Sequence, residues 1–364
     1  MVFFVKVLFL PKYPKEGASS RYCLYQFIPF LKKNGIECDI YPFMSSKLFK
    51  LSLLEGKSFE KISLLLVAVL KRLLILIIFK KYDLIFIHRE LISFGAPILE
   101  KIICSSKIPT IFCYDDALFI YKKNETNKFI SLFKNTRKIS DIFSMVDCVI
   151  ASNGYLGEYA SRFCSDTRVL EMPEDVKRIS CKKRYAFATI FTIGWIGSPS
   201  TEKYLQQIKP AFYYLLERNI EVRLKIIGGR NFSIEGLQVF HIPWDIMTEA
   251  KELHSFDVGI MPLPEEEEWS LGKSGGKARL YMAAGLPVIC SAVGYNLKLI
   301  KNNETGFLVS GVEEWGHVLY KLASNPELRE KIGIAARKYI EQNLSLDIIG
   351  PKYLQIIQEI YNAK

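Results

Sequence analysis

The chain has 364 residues, 49% of them hydrophobic, with a formal net charge of +11. That length and apolar content suit two domains of ordinary size, each with a full core, and exclude a chain too small or too polar to build one. The positive balance is either a basic solvated surface or the mark of an anionic partner such as a phosphorylated small molecule or an anionic membrane. Nucleic acid is not expected, because the lysines are spread out and no basic run is interleaved with aromatics.

The first expected strand, 2–10, is apolar but lacks a basic leader and a small-residue cleavage site, so it reads as a buried strand rather than a signal peptide, and a cytoplasmic protein is expected. A helical pattern covers 19–34 and a strand covers 36–41. The next segment, 61–81, is a long apolar helix whose longest uncharged stretch, 62–70, is too short to span a bilayer. Lys61, Lys71 and Arg72 fall on one side of it. Two readings stay open: a helix lying at the membrane interface, helped by Phe49, Leu53 and Leu54 upstream, or a core helix whose lysines snorkel. A cytoplasmic membrane surface contacted through 45–81 is therefore one candidate partner.

Strands at 83–88, 108–114 and 146–151 alternate with helices at 95–104 and 130–143. The charged stretch after Leu170 lacks apolar periodicity and reads as a linker, 173–187, between a first domain, 1–172, and a second, 188–343. The second half carries strands at 189–196, 222–228, 256–262, 286–291 and 306–309, with helices at 200–218, 274–284 and 325–343. A last amphipathic helix lies within 344–364. Continuous apolar strands alternating with helices predict an α/β fold of doubly wound parallel sheets. The eight cysteines show no CxxC spacing and read as small core residues in a reducing compartment.

Leu271-Gly-Lys-Ser-Gly-Gly-Lys-Ala-Arg-Leu-Tyr-Met-Ala-Ala-Gly-Leu-Pro-Val-Ile-Cys290 starts as a glycine-rich basic loop, becomes a helix and ends in a strand. Gly272, Gly275 and Gly276 let backbone N–H groups approach a ligand, Lys273 and Lys277 add charge beside Ser274, and the helix start adds its dipole. A second loop, after the strand ending at Gly197, offers Ser198, Ser200 and Thr201 as helix caps, Pro199 for the first turn and Lys203 one turn in. Two such loops at C-terminal strand ends predict joint contact with one diphosphate-bearing ligand.

Gly194-Trp-Ile-Gly-Ser-Pro-Ser-Thr201, Asp257-Val-Gly-Ile-Met-Pro-Leu-Pro264, Trp269-Ser-Leu-Gly-Lys-Ser-Gly-Gly-Lys277, Tyr281-Met-Ala-Ala-Gly-Leu-Pro-Val288 and Asn303-Glu-Thr-Gly-Phe-Leu308 closely resemble, in order and spacing, family 4 glycosyltransferases of the GT-B fold. The first half is similar through Gly17-Ala-Ser-Ser-Arg21, His88-Arg-Glu-Leu91, Tyr114-Asp-Asp-Ala-Leu-Phe119 and Ala151-Ser-Asn-Gly-Tyr-Leu156. The resemblance implies two Rossmann-like domains facing a cleft, the acceptor on the first and the sugar nucleotide on the second, with the terminal helix crossing back. It implies retaining transfer without a metal or other cofactor. Lys203, Lys273, Lys277 and backbone amides would stabilise the departing nucleoside diphosphate, with a UDP-sugar favoured over a GDP-sugar as co-substrate.

Gly17, Ser20 and Arg21 would close over the donor diphosphate, although Arg21 can equally face solvent. His88, Arg89 and Glu90 end one strand and Asp115 and Asp116 another at the same rim, as acceptor-side and catalytic candidates. His88 can instead be structural, one aspartate can be a helix cap, and Asn153 can be a cap or a ligand. Many relatives carry paired glutamates where Gly272 and Leu280 stand here, so ribose and sugar recognition must come from elsewhere. The expected function is sugar transfer to a glycan acceptor, lipid-linked, in bacterial polysaccharide synthesis. A sugar-nucleotide epimerase of the same fold and a non-catalytic sugar-nucleotide-binding partner are the competing readings.

Overall fold

The computed structural model describes residues 5–54, 56–120, 137–183, 185 and 190–363. The chain divides into two compact units, residues 1–172 with 346–364, and residues 173–345.

The first unit runs β1 Val5–Pro11, α1 Ala18–Cys23, α2 Ile28–Lys33, β2 Ile36–Ile40, α3 Ser46–Ser52 and α4 Ser58–Ile78. It continues with β3 Leu84–His88, α5 Ile98–Cys104, β4 Thr110–Tyr114, α6 Lys138–Phe143, β5 Cys148–Ala151, α7 Gly154–Ser161 and β6 Thr167–Val169. Its sheet has the order β2-β1-β3-β4-β5-β6, all pairs parallel. Every residue of β3, β4 and β5 is buried, because helices cover both faces; that is why these strands read as unbroken apolar runs.

The second unit runs β7 Phe191–Ile196, α8 Pro199–Glu202, α9 Lys209–Leu216, β8 Val222–Ile227, β9 Gln238–Ile242, α10 Glu249–His254, β10 Val258–Met261 and α11 Glu268–Leu271. Then come α12 Gly276–Ala283, β11 Val288–Ser291, α13 Asn296–Leu299, β12 Phe307–Val309, α14 Val312–Ala323 and α15 Pro326–Asn343. The sheet order is β12-β11-β10-β7-β8-β9, again parallel throughout. The last helix, α16 Leu346–Asn362, rejoins the first unit. Its Tyr353 stacks on Phe27 at 4.0 Å and donates its hydroxyl to the Cys23 carbonyl at 3.0 Å.

Several expectations need correction. The helix expected over 19–34 breaks at Leu24, where φ is −144° and ψ −63°. The one expected over 200–218 breaks into α8, a 3-10 stretch Lys203–Ile208 and α9, which restarts with Pro210 in its first turn, where a missing N–H costs nothing. Of the helix expected over 130–143, 130–136 lie outside the described residues. The edge strands β6 and β9 were not anticipated, since an edge strand keeps a solvated side and loses the apolar run.

The stretch expected as a linker, 173–187, is instead part of the second unit as far as it is described. Arg337 donates to the carbonyls of Ile179 at 2.6 Å and Val176 at 2.9 Å, and the Tyr185 hydroxyl donates to the Gly285 carbonyl at 2.6 Å. These bonds are made by residues distant in sequence, so no local pattern announces them. All eight cysteines are free thiols, six of them buried, as small core residues would be.

Gly194 on β7 pairs with Gly259 on β10, and the Tyr281 side chain of α12 packs over this point. The Ile196 N–H donates to the Tyr281 hydroxyl at 2.9 Å, which holds α12 against the end of β7. A Cβ at Gly259 would fall 2.3 Å from Tyr281 Cγ. Gly259→Ala is therefore expected to destabilise the second unit by about 1–3 kcal/mol through overpacking, read as a lower urea midpoint.

Candidate active site

Open parallel sheets bind ligands beyond the C-terminal strand ends, where the strand order reverses. In the first sheet that point lies between β1 and β3. The loop after β1 enters α1 there, Arg89 follows β3, and Asp115 follows β4. Gly17 is required by the tight approach of this loop, since a Cβ would sit 2.5 Å from Tyr13 Cβ.

Asp115 is the hub. Its Oδ1 accepts from Arg89 Nε at 3.1 Å and Nη2 at 2.9 Å, and from the Ser19 hydroxyl at 2.7 Å. Arg89 Nη2 also lies 3.4 Å from Asp116 Oδ2. To make this pairing Arg89 adopts φ +60°, a left-handed conformation that is strained for a non-glycine residue. Burial alone would raise the Asp115 pKa, but Arg89 and the hydrogen bonds from His88 and Ser19 hold it well below the usual carboxylate range. Asp115 is thus held as an anion paired with Arg89 at neutral pH.

His88 is fully buried beneath the loop. Its Nε2 lies 3.1 Å from Ser19 Oγ and its Nδ1 3.0 Å from Ser20 Oγ, which also accepts the Tyr13 N–H at 3.0 Å. Burial lowers its proton affinity, yet Cys23 and Asp115 outweigh that and raise its pKa. The histidine therefore holds the Ser19–Ser20 turn rather than facing a substrate, which is its structural reading. Ser19, which sequence reasoning passed over, joins His88 to Asp115; its one signal is its place beside Ser20 in the Gly17–Arg21 motif.

Arg21 is buried and donates to the Glu16 carbonyl at 3.3 Å. Glu90 faces Lys12 at 3.7 Å; burial would raise the carboxyl pKa, but Lys12 outweighs it and the pKa is lowered. Asn153 caps α7, its Oδ1 accepting the Leu156 N–H at 2.9 Å. Donor atoms of Cys23, His88 and Asp115 lie within 4.8 Å of one another, a set that a divalent metal can use. Arg89 already supplies the positive charge at that carboxylate, and burial pushes the Cys23 thiol well above its ordinary pKa, so the arrangement favours the ion pair over a metal.

In the second sheet the order reverses between β7 and β10, and the two loops singled out in the sequence emerge there. They touch. A Cβ at Gly197 would meet Lys277 Cε at 2.7 Å and the Trp195 ring at 2.6 Å, so the lysine stem crosses the glycine. Gly275 is left-handed at φ +68° and starts α12 with no side-chain cap, leaving the first-turn amides of Gly276 and Lys277 suited to an anion. Lys273 Nζ lies 3.3 Å over the Trp269 ring, and Trp269 is 6.0 Å from Tyr204. The Ser274 carbonyl is held by Arg279, itself buried 3.5 Å from Glu174.

Lys203 is exposed at the start of the 3-10 stretch, not within a long helix as expected. Ser198 Oγ bonds Ser200 Oγ at 2.9 Å rather than capping α8. Leu280 is 4% exposed and belongs to the core. Sequence reasoning missed Glu202, whose buried carboxylate accepts the N–H groups of Arg230 at 2.9 Å, Asn231 at 3.1 Å and Phe232 at 3.0 Å. It fixes the loop after β8 beside Gly197; a Cβ at Gly228 would lie 2.4 Å from the Gly197 carbonyl oxygen.

Two parallel-sheet units, each with its loops gathered at a reversal of strand order, define a two-domain α/β protein of the doubly wound type. Residues 190–325 match the family Glycosyl transferases group 1. A capsular polysaccharide biosynthesis glycosyltransferase, CapM of Staphylococcus aureus, is 24% identical over 183 residues, 48% of this chain and 46% of that protein. The match thus spans about half the length of the curated relative. The fold is shared with Anabaena HepE, solved with UDP and glucose, at a TM-score of 0.69 and 14% identity over 97% of this chain and 99% of that one. It is shared equally with the sucrose-phosphate synthase of Thermosynechococcus elongatus, at 0.70 and 14% over 99% and 100%. The whole chain thus shares its fold with these two proteins, and residues 190–325 carry the group 1 glycosyltransferase match.

Asp115→Asn leaves the buried Arg89 with the longer Asp116 contact at 3.4 Å and is expected to cost about 1.5–3 kcal/mol of stability near pH 7. A depressed carboxylate pKa stabilises the fold above the unfolded value of about 3.9 and loses that effect as pH falls through the folded value. The gap between wild type and Asp115→Asn should therefore be flat above about pH 5 and shrink below about pH 4, as read by denaturant midpoints across pH.

Proposed function

We propose that the protein transfers a sugar, with retention and without a metal, from a UDP-sugar held by the second unit to a lipid-linked glycan acceptor bound by the first. The observation that carries this is the contact of the two loops, Lys277 crossing Gly197 beside the uncapped start of α12. Lysines and fixed amides at that point can take the charge that develops on a departing diphosphate, the work a metal does elsewhere. UDP is preferred because HepE was solved with it. The first unit supplies a rigid polar rim of Ser19, Arg89, Asp115 and Asp116 to orient an acceptor hydroxyl.

The membrane reading is supported by α4. Phe59 is 87% exposed, Ile62 57%, Leu66 61%, Leu70 61%, Leu74 58% and Ile77 73%, and only 22% of the helix's most apolar window is buried. Exposed lysines border this region at Lys47, Lys50, Lys57, Lys71, Lys80 and Lys81, complementary to an anionic lipid surface on the cytoplasmic side. Arg72, expected on the basic side facing lipid, is buried and points the other way.

Lys273→Ala and Lys277→Ala should each lower transfer by about 10²–10³-fold, since each removes a preorganised donor. Transfer unchanged in both would overturn the assignment. A thermal-shift series should show UDP-sugars raising the melting temperature more than GDP-sugars. Conversion of the donor alone, without acceptor and without release of nucleotide, would point to an epimerase instead. Flotation with phosphatidylglycerol vesicles should be lost in Leu66→Glu/Leu70→Glu, a pair of exposed positions that the fold tolerates.

A further inference from the structure

The membrane-facing helix and the candidate site are physically joined, and Arg72 is the main joint. On α4, Arg72 lies opposite the exposed apolar face and is 3% exposed. Its Nη2 donates to the Pro11 carbonyl and its Nη1 to the Tyr41 carbonyl, both at 3.0 Å. Burial pushes its pKa down to about 9, so it keeps its charge at neutral pH. A guanidinium in an apolar helix interface is retained here for two carbonyls, one of them the last residue of β1.

From Pro11 the chain enters the site loop at once. Lys12 pairs with Glu90 at 3.7 Å, and its carbonyl accepts the Met44 N–H at 3.0 Å, just before α3. The Tyr13 ring meets Phe49 of α3 edge-on at 5.7 Å, while the Tyr13 N–H donates to Ser20. Ser20 bonds His88, His88 bonds Ser19, and Ser19 bonds Asp115. The α3–α4 pair shares its own small core of Phe43, Leu48 and Ala68, against which Ile92 also packs. The hydrogen bonds and ring contact of the 11–20 loop form a continuous path from that core to Asp115.

We infer that Arg72 is a positioning residue that couples an anionic bilayer under α4 to the 11–20 loop, so that seating the exposed face of α4 on lipid restrains the loop further. The inference rests on the membrane reading above and adds the coupling to it. It gives the helix two faces with separate work, lipid contact outward and loop placement inward.

The test is amide hydrogen exchange of the full chain by mass spectrometry, with and without phosphatidylglycerol/phosphatidylethanolamine vesicles. In wild type, vesicles should slow exchange several-fold in peptides covering α4 and also in those covering 12–21, while peptides covering 197–203 stay unchanged. Arg72→Gln should still float with vesicles and protect α4, but no longer protect 12–21; Arg72→Lys, which can keep one carbonyl bond, should respond in between. Should Arg72→Gln fail to fold, Phe49→Ala severs the second link from the partly exposed α3 and should weaken the 12–21 response alone. Leu66→Glu/Leu70→Glu should show wild-type exchange without lipid and no response to vesicles. Flotation of wild type without any change at 12–21, or an undiminished change in Arg72→Gln and Phe49→Ala, overturns the coupling. Failure of wild type to float overturns the membrane reading itself, and neither result depends on sugar transfer.

Discussion

In both sheets every pairing is parallel, so all strands deliver their C-terminal loops to one edge. A parallel sheet that grows in both directions from its first strand must part its loops somewhere, and the parting leaves space for a ligand. Here that happens between β1 and β3 in one unit and between β7 and β10 in the other. Each functional group discussed above is placed by that constraint. Gly259 and Tyr281 serve it in the second unit by letting α12 lie close over the parting strands, and Gly194 leaves room for the Phe256 ring.

The two edges differ in chemistry. At the first, charges are already spent on one another: Arg89 on Asp115 and Asp116, Lys12 on Glu90. The result is a stiff polar rim suited to orienting a neutral hydroxyl. At the second, Lys203 is exposed, and Lys273 and Lys277 lie over the Trp269 and Trp195 rings. Lysines gathered beside the N-terminal turn of a helix are a setting that suits a diphosphate.

Much of the fold was legible in the residues because buried parallel strands announce themselves as apolar runs, and the two loops that meet at the strand-order reversal were legible because glycine, lysine and serine recur after such runs. Edge strands β6 and β9 escaped, being only half covered. The breaks at Leu24 and before Lys209 escaped because an amphipathic pattern continues across them. Arg72 misled for a related reason: a helical wheel gives the angle between Arg72 and the apolar face but not which side meets the protein. Angular position alone made the basic side the candidate for lipid, whereas two carbonyls at 3.0 Å draw it inward.

By itself the sequence determined the α/β class, the two-unit division near residue 172, the glycine- and lysine-bearing loops at 194–203 and 271–277 beyond strand ends and the absence of acidic residues at Gly272 and Leu280. These are local matters, decided by periodicity and by residue type at a strand end. Only the tertiary structure decided that Ser19 links His88 to Asp115, that Glu202 anchors the loop after β8, that Asn153 caps a helix, and that α4 turns its apolar face outward. Each of those depends on partners separated by tens of residues or on which surface is covered, and such information enters only when the chain is folded.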